Sequence, residues 1–401
     1  MVNFDEYLVI DLETSIKNRG DEAIGTNKAS PFCDKNDIVL LGVKLNNGIE
    51  SIYTTSHLCD IPWNDYLNNV QVLVGHNIKF DLLYLYRDVR AIRSFIKNGG
   101  MVWDTQLAEY LITGQAETFP SLDSVTIKYG GTVKDERIKA FWEEGIDTEE
   151  IPHHMLADYL SGDLSNTELV YEEQQKRIWS RGIMNLAISQ MEALLATTEM
   201  EYNGMYFDRG IAAEYLRDLI HTMKVLEDKT KAVIAEYIPA VVAQPNPFSN
   251  DQISLVLFGG SMAYKEKAVE YDEQGSVILY KSGIKAGKPK FKNVDSTMFT
   301  EGMMVNVRHT QELKKKGFYA TNDKVLKHIL TLKSNDHIKN FITMLLELRS
   351  LKKDISTYFI GYSDLCWGDG IIHGNLHHCS TATGRLSSSQ PNLQNLTSTE
   401  D

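Results

Sequence analysis

Residues 6–14 have the sequence EYLVIDLET, an aliphatic and β-branched run that starts at Glu6 and has two carboxylates, Asp11 and Glu13, near its carboxyl end. Such a run predicts a buried strand. Because strand side chains alternate between faces, both carboxylates are expected on one face at the carboxyl end of the strand. Strand ends are often acidic simply because they meet solvent, so this pair alone does not identify a site.

The surrounding sequence mixes strands and helices. Apolar runs at residues 37–45 and 70–75 predict two more strands, and helical periodicity at residues 80–86 and 105–111 predicts two helices. This alternation favours an α/β domain over a helical bundle.

The remainder of the chain has mostly helical periodicity. Long helical patterns occupy residues 166–201, 208–237, 322–332 and 336–358. Pro245 and Pro247 are expected to end the second of them, and residues 276–280 resemble a strand. After Gly361 the sequence favours strand and loop.

Two further groups of polar residues have spacings that suit a shared site. Asn77 and Asp81 follow a predicted strand and open a helix, and Tyr159 and Asp163 lie four residues apart on one helical face. With the first pair, these carboxylates could hold two divalent cations that activate water for phosphodiester hydrolysis. Oxygen ligands favour Mg²⁺ or Mn²⁺ over zinc. Tyr159 is predicted to orient the attacking water.

Composition places few limits on this chemistry. A chain of 401 residues with 43% hydrophobic and 24% charged residues predicts a globular protein of two or three domains. No apolar run approaches the ~18 residues of a membrane span, and the start lacks a signal-peptide pattern. A cytoplasmic location without a membrane partner is therefore expected, in the host cytoplasm if the protein is viral.

The net charge of −13 disfavours a nucleic-acid binder on average, but a local basic region can still bind phosphates. Five lysines occur without an intervening acid between Glu273 and Asp295, namely Lys281, Lys285, Lys288, Lys290 and Lys292. A solvated loop and a phosphate contact are equally consistent with this stretch.

The succession Asp-x-Glu, Asn-x-x-Phe-Asp and Tyr-x-x-x-Asp resembles the DEDD proofreading exonucleases in their tyrosine variety. The resemblance implies 3′→5′ exonuclease activity on an RNase H-like sheet flanked by helices, with Asp11, Glu13, Asp81 and Asp163 as ligands of two Mg²⁺ or Mn²⁺ ions. Thr14 and Asn77 match positions that contact the terminal nucleotide in this family. Asp104 also matches a recurrent motif, although capping of the following helix is its favoured interpretation.

The rest of the chain is similar to the thumb and palm of family A DNA polymerases. Residues 199–208 (EMEYNGMYFD) and 246–252 (NPFSNDQ) resemble the entry to the thumb, and residues 348–358 resemble the thumb helix that follows the duplex, with Lys352 and Lys353. The most specific match is TATGRLSSSQPNLQN at residues 381–395, which in the family begins the palm and contacts the primer end.

Within that last segment, the resemblance assigns the main DNA contact to Arg385. Its guanidinium is expected to reach minor-groove acceptors that all base pairs share, so the contact would be independent of sequence. The same contact is expected to include Thr383, Asn392, Gln394 and Asn395. The lysine-rich stretch resembles insertions in the thumb of phage family A polymerases.

The resemblance divides the chain into an α/β exonuclease domain at residues 1–182, a connecting helix and mostly helical thumb at residues 183–362, and an incomplete palm at residues 363–401. The palm aspartates and the fingers helix of the family are not found in the sequence. Primer extension is therefore expected to need a second chain or a longer parent protein. Apolar residues near Ile371, Ile372 and Leu376 are then expected to face solvent or that partner.

The leading hypothesis is the proofreading and primer-template-binding portion of a phage-type family A DNA polymerase, acting in DNA replication. One alternative is a stand-alone DEDD-type exonuclease acting on single-stranded DNA or RNA. Another is a non-catalytic, DNA-binding polymerase subunit. The carboxylate set argues against the non-catalytic subunit, and the Arg385 motif argues against the stand-alone nuclease.

Overall fold

A computed structural model describes residues 2–16, 29–33, 35–54, 60–132, 136–239, 246, 248–333 and 335–396. The chain forms two compact units. Unit 1 comprises Met1–Arg209 and Gly361–Asp401, and unit 2 comprises Gly210–Ile360. The predicted helix-ending residues Pro245 and Pro247 lie outside the described residues, and the three predicted domain boundaries stay predictions.

Unit 1 contains a five-stranded sheet in the order β3-β2-β1-β4-β5. The strands are β1 (Tyr7–Thr14), β2 (Ile38–Leu45), β3 (Glu50–Thr54), β4 (Val72–Gly75) and β5 (Met101–Asp104). Strands β1, β2 and β3 are antiparallel neighbours, whereas β4 and β5 run parallel to β1. The carboxyl ends of β1, β4 and β5 therefore meet at one edge of the sheet.

In the described residues, unit 1 has eight α-helices between residues 63 and 203. They are α1 (Trp63–Leu67), α2 (Lys79–Asp88), α3 (Arg90–Lys97), α4 (Thr105–Ile112), α5 (Leu122–Tyr129), α6 (Glu136–Glu143), α7 (His153–Arg181) and α8 (Met184–Asn203). The largest hydrophobic cluster of the sheet and helices includes Leu8, Ile10 and the fully buried Trp103, and a smaller cluster includes Leu40 and Leu160. The long pattern predicted at residues 166–201 is two helices, because Gly182 ends α7 with a positive φ of 67°.

The carboxyl-terminal part of unit 1 forms small two-stranded pairings, as the sequence predicts, but residues 361–365 form a short helix where strand or loop was expected. The elements are β6 (Met205–Tyr206), which pairs with β9 (Ile371–Ile372), then β10 (Asn375–His377), which pairs with β11 (Ser387–Ser389), and α13 (Gly361–Leu365).

The expected exposure of apolar side chains in this part is wrong. Ile372 is 1% exposed and Leu376 is 5% exposed, and Ile371 is half-buried. Ile372 pairs with Met205, which is far away in the sequence, so a local pattern could not predict its cover. Ile372 and Leu376 therefore do not form an exposed apolar strand edge.

Unit 2 is mainly helical. Its helices are α9 (Arg209–Tyr237, shared with unit 1 at its first residue), α10 (Asn250–Phe258), α11 (Asp323–Thr331) and α12 (Asp336–Asp354), after which Ile355–Ile360 is π-helical. A second core forms around Leu255, Leu326 and Phe341. In the described part of the chain, no helix of either unit is both long and apolar enough to span a membrane.

A long hairpin interrupts the helices of unit 2. Strands β7 (Gly260–Val269) and β8 (Phe291–Thr300) pair antiparallel along their full length. The strand predicted at residues 276–280 makes only the isolated bridges Tyr271–Val277 and Leu279–Pro289. The sequence did not predict β7 and β8. Many of their residues are exposed, and the hairpin packs against the second core mainly at Met262 and Met298, so the buried stripe is short.

Candidate functional site

Three carboxylates meet at the edge of the sheet in unit 1. Asp11 and Glu13 come from β1 and Asp163 from α7, and one oxygen of each lies within 4.8 Å of the others. Glu13 and Asp163 are buried and Asp11 is half-buried. We call these three residues the acidic cluster; the sequence predicts each of them.

The local structure of β1 explains how two carboxylates of one strand reach the same place. They are two residues apart, so their side chains leave the same face of the sheet. The register with β2 shifts between Glu13 and Thr14, which marks a bulge at the strand end. Bulges re-aim side chains next to functional sites. Thr14 itself is half-buried.

Asp81 lies beside the acidic cluster but is not one of the three residues that converge. It is in the first turn of α2 and is 4% exposed. Burial raises the pKa of its carboxyl well above the usual range, and the negative charges of Asp11, Asp104 and Glu13 add to the rise. A bound cation would relieve this crowding, so the residues fit a divalent metal ion by charge and by donor type.

Tyr159 occupies the position on α7 that the sequence predicts, one turn before Asp163. Its ring is half-buried and meets the Trp142 ring edge-on, with centroids 5.9 Å apart. Because residues four apart share a helix face, the phenol lies on the same side of α7 as the Asp163 carboxylate.

Asn77 lies on an exposed turn between β4 and α2, with a positive φ of 54°. The Asp104 carboxylate holds this turn, because its Oδ1 accepts a hydrogen bond from the backbone N–H of Asn77 at 3.1 Å. The same oxygen accepts from Gln106 N at 2.8 Å and from Leu107 N at 3.2 Å. The predicted cap of α4 is therefore confirmed. Burial raises the pKa of Asp104 to about 6, although these N–H groups oppose the rise.

One connection in this region was not predicted. Lys79 and Glu201 form a buried ion pair of 2.6 Å between α2 and α8. Lys79 also donates to the carbonyl oxygen of Leu376, and the Glu201 carboxylate accepts from the Leu376 N–H. Both backbone groups of Leu376 are thus satisfied by side chains, which ties β10 to the helix that carries Asp81. Lys79 is the first residue of α2 and is followed by Phe80 and Asp81, so no local sequence pattern distinguishes it from a surface lysine.

The predicted DNA-contact segment, residues 381–395, is exposed where the resemblance expects contact. The Thr381 hydroxyl donates to the carbonyl of Arg385 at 2.9 Å, and the Tyr110 hydroxyl donates to the carbonyl of Thr381 at 2.6 Å. These bonds fix the turn around Gly384, whose φ is 71°. The exposed side chains of the segment include Thr383, Arg385, Asn392, Gln394 and Asn395. They lie outside the acidic cluster.

Lys352 and Lys353 differ although they are neighbours at the end of α12. The Lys352 ammonium lies 3.1 Å from the Glu227 carboxylate and 4.5 Å from the centre of the Phe248 ring. Lys353 is exposed. The structure therefore gives Lys352 partners within unit 2, whereas the surface position of Lys353 suits an external contact.

The five lysines predicted as a basic stretch lie on the hairpin of unit 2. We call residues 260–300 the lysine arm. All five lysines are exposed, and Lys290 is in an ion pair of 2.9 Å with Glu270. Ile284, at the tip, is fully exposed.

Comparison with known proteins shows a likeness to DNA polymerases of family A. Residues 284–401 match the model of DNA polymerase family A. The chain is 23% identical to the DNA polymerase of Bacillus phage SP01 over 96% of its own length and 42% of that protein. It is 25% identical to DNA polymerase I of Chloroflexus aurantiacus, over 82% of the chain and 29% of the relative. The predicted resemblance to family A DNA polymerases is confirmed, and the chain spans less than half of these relatives.

A solved structure shares the fold. It is the POL domain of Pol1 from M. smegmatis in complex with DNA primer-template and dNTP, with a TM-score of 0.62 and 17% identity. The likeness covers 98% of this chain and 53% of that one. The fold of this chain, with its helices and mixed sheet, is therefore similar to the fold of that polymerase domain.

Proposed function

We propose that this chain is the 3′→5′ proofreading exonuclease and primer-template-binding portion of a family A DNA polymerase. The observation that carries the proposal is the convergence of Asp11, Glu13 and Asp163 within 4.8 Å, at the end of a central strand. The mixed sheet with flanking helices supports an RNase H-like exonuclease domain in unit 1.

The proposed ligands are the acidic cluster and Asp81, and the proposed cofactors are two Mg²⁺ or Mn²⁺ ions. The chemistry that such ions supply when bound is activation of water and stabilisation of charge on the leaving 3′ oxygen. The four carboxylates supply the negative charge that retains cations in a partly buried place. Tyr159 would accept or donate one hydrogen bond to the attacking water and so fix its direction.

Asn77 and Thr14 are the residues proposed to contact the terminal nucleotide of the substrate. Asn77 presents its amide from a turn that Asp104 holds, at the same sheet edge as the acidic cluster. Amide and hydroxyl groups can bind the sugar and phosphate of a terminal nucleotide without selecting the base. Single-stranded 3′ ends of DNA are therefore the proposed substrate.

Primer-template duplex is the second proposed partner. Arg385 and its exposed neighbours Thr383, Asn392, Gln394 and Asn395 would contact the primer end, and Lys353 would contact the phosphates. The chain covers 42% of the SP01 polymerase, so primer extension is expected to need residues outside this sequence. Those residues would belong to a longer parent protein or to a second chain.

The test is degradation of a 5′-labelled single-stranded DNA oligonucleotide by the purified chain. A ladder of shortened products with Mg²⁺ or Mn²⁺, and none after chelation, is the expected result. Labelling the same oligonucleotide at its 3′ end should release the label as a mononucleotide from the first time point. Degradation that persists in chelator, or its absence with every divalent ion, would contradict the proposal.

A further inference from the structure

A glycine interrupts strand β2, whose other residues are apolar except for Lys44. Residues 38–45 have the sequence IVLLGVKL, and Gly42 is buried in the middle. Glycine weakens a strand interior, and where it occurs it often marks a place where another chain segment approaches closely. In the register of the sheet, Gly42 lies directly opposite Asp11.

The space around Gly42 is filled by α7. A Cβ atom added to Gly42 would lie 2.7 Å from Leu164 Cδ1 and 3.0 Å from Leu160 Cγ. Both leucines are fully buried, so neither side chain has vacant space to turn into. Ordinary carbon contacts are about 3.5–4.0 Å, so relief would require a displacement of roughly 1 Å.

Backbone conformation does not account for this glycine. Gly42 is absent from the glycines with a positive φ, so other residues could adopt its backbone angles. What Gly42 supplies is therefore room for α7 against the sheet.

We propose that Gly42 is a positioning residue that lets α7 approach β1 closely enough for Asp163 to join Asp11 and Glu13. Leu160 and Leu164, which contact Gly42, lie on the turn of α7 that carries Asp163, so any outward movement of this turn carries that carboxylate with it. The inference rests on the proposed metal site, and it identifies the packing contact on which the geometry of that site depends.

The test compares Mn²⁺ affinity, measured by calorimetry, in the whole chain and in Gly42→Ala. Mutation of residues that orient metal ligands typically weakens metal binding by about 10- to 100-fold, and a loss of that size is expected here. Adding Leu164→Ala removes the nearest clashing atom and should restore most of the affinity.

Gly162→Ala is the matched control, because it also adds one methyl group in the same region. An added Cβ at Gly162 would meet no atom within 4 Å, and alanine favours the helix, so stability should rise and Mn²⁺ affinity should not change. Thermal unfolding in chelator, followed for all variants, reports folding separately from metal binding.

The outcomes separate this inference from the proposed function. If the wild-type chain binds no Mn²⁺, the proposed metal site is wrong. If the wild-type chain binds Mn²⁺ and Gly42→Ala binds it equally well, only the role of Gly42 is wrong. Should Gly42→Ala fail to fold, the double variant decides: recovery of folding and affinity supports the steric account, and weak binding by a folded double variant contradicts it.

Discussion

The acidic cluster and the lysine arm are both dense in charge, but they differ in burial. Glu13 and Asp163 are buried beside like charges, whereas all five lysines of the arm are exposed. A buried charge near others of the same sign is costly unless something compensates it, while an exposed lysine costs almost nothing. Buried charge is therefore much stronger evidence of a ligand than exposed charge.

The largest effect is expected from removing the cluster itself. Asp11→Ala combined with Glu13→Ala deletes two of the proposed ligands, so exonuclease activity should fall on the order of 1,000-fold or more. Rates on a single-stranded DNA oligonucleotide, measured at saturating Mg²⁺, check this. Near-normal activity would show that another site is responsible for cleavage.

A smaller loss is expected for Tyr159→Phe, because the proposed ligands remain and only the water-orienting hydroxyl is removed. The expected decrease in kcat is about 100-fold, the low end for groups that assist proton movement. Mn²⁺ affinity should be unchanged, since the ring keeps its packing against Trp142. A loss as large as that of the double carboxylate variant would mean that Tyr159 does more than orient water.

In the lysine arm, the exposed region of the comparison, three residues can be changed together to alanine: Lys281, Lys285 and Lys288. If these lysines displace counterions from DNA, the slope of log affinity against log salt should flatten by roughly 0.9 for each lost phosphate contact. Lys290→Ala is the control, because Lys290 already forms an ion pair with Glu270 and should matter less. If the DNA affinity and its salt dependence are unchanged, the lysine arm is a solvated loop that does not contact DNA.

The smallest effects are expected for two neighbouring lysines of α12, Lys352 and Lys353, which should differ in what they lose. Lys353→Ala should weaken duplex binding a few-fold at low salt, since one exposed phosphate contact is lost. Lys352→Ala removes the ion pair with Glu227 and should lower the free energy of unfolding by about 1 kcal/mol or less. Binding titrations and urea unfolding of both variants test the contrast, and a larger binding loss in Lys352→Ala would reverse the assignment.

The sequence predicted the local parts of the site well. Strand alternation placed Asp11 and Glu13 on one face, and the spacing of Tyr159 and Asp163 placed them on one face of a helix; the structure confirms both. Helix capping by Asp104 was also predicted correctly, because the rule involves only the first turn of α4. These features depend on residues within a few positions of each other.

Packing between residues that are far apart in the sequence could not be predicted from such local patterns. The burial of Ile372 depends on pairing with Met205, and the approach of α7 to β1 depends on space at Gly42. The lone glycine in an apolar strand was a usable signal, but it does not say which helix would fill the space. The hairpin of the lysine arm was missed because it packs against the second core mainly at Met262 and Met298, which leaves only a short buried stripe.

The most direct test of the central claim is anomalous diffraction from crystals grown with Mn²⁺ and a short single-stranded DNA oligonucleotide. We expect manganese peaks within bonding distance of Asp11, Glu13, Asp81 and Asp163, with the 3′ end of the oligonucleotide beside them. Manganese elsewhere, with the acidic cluster empty at saturating Mn²⁺, would contradict the account.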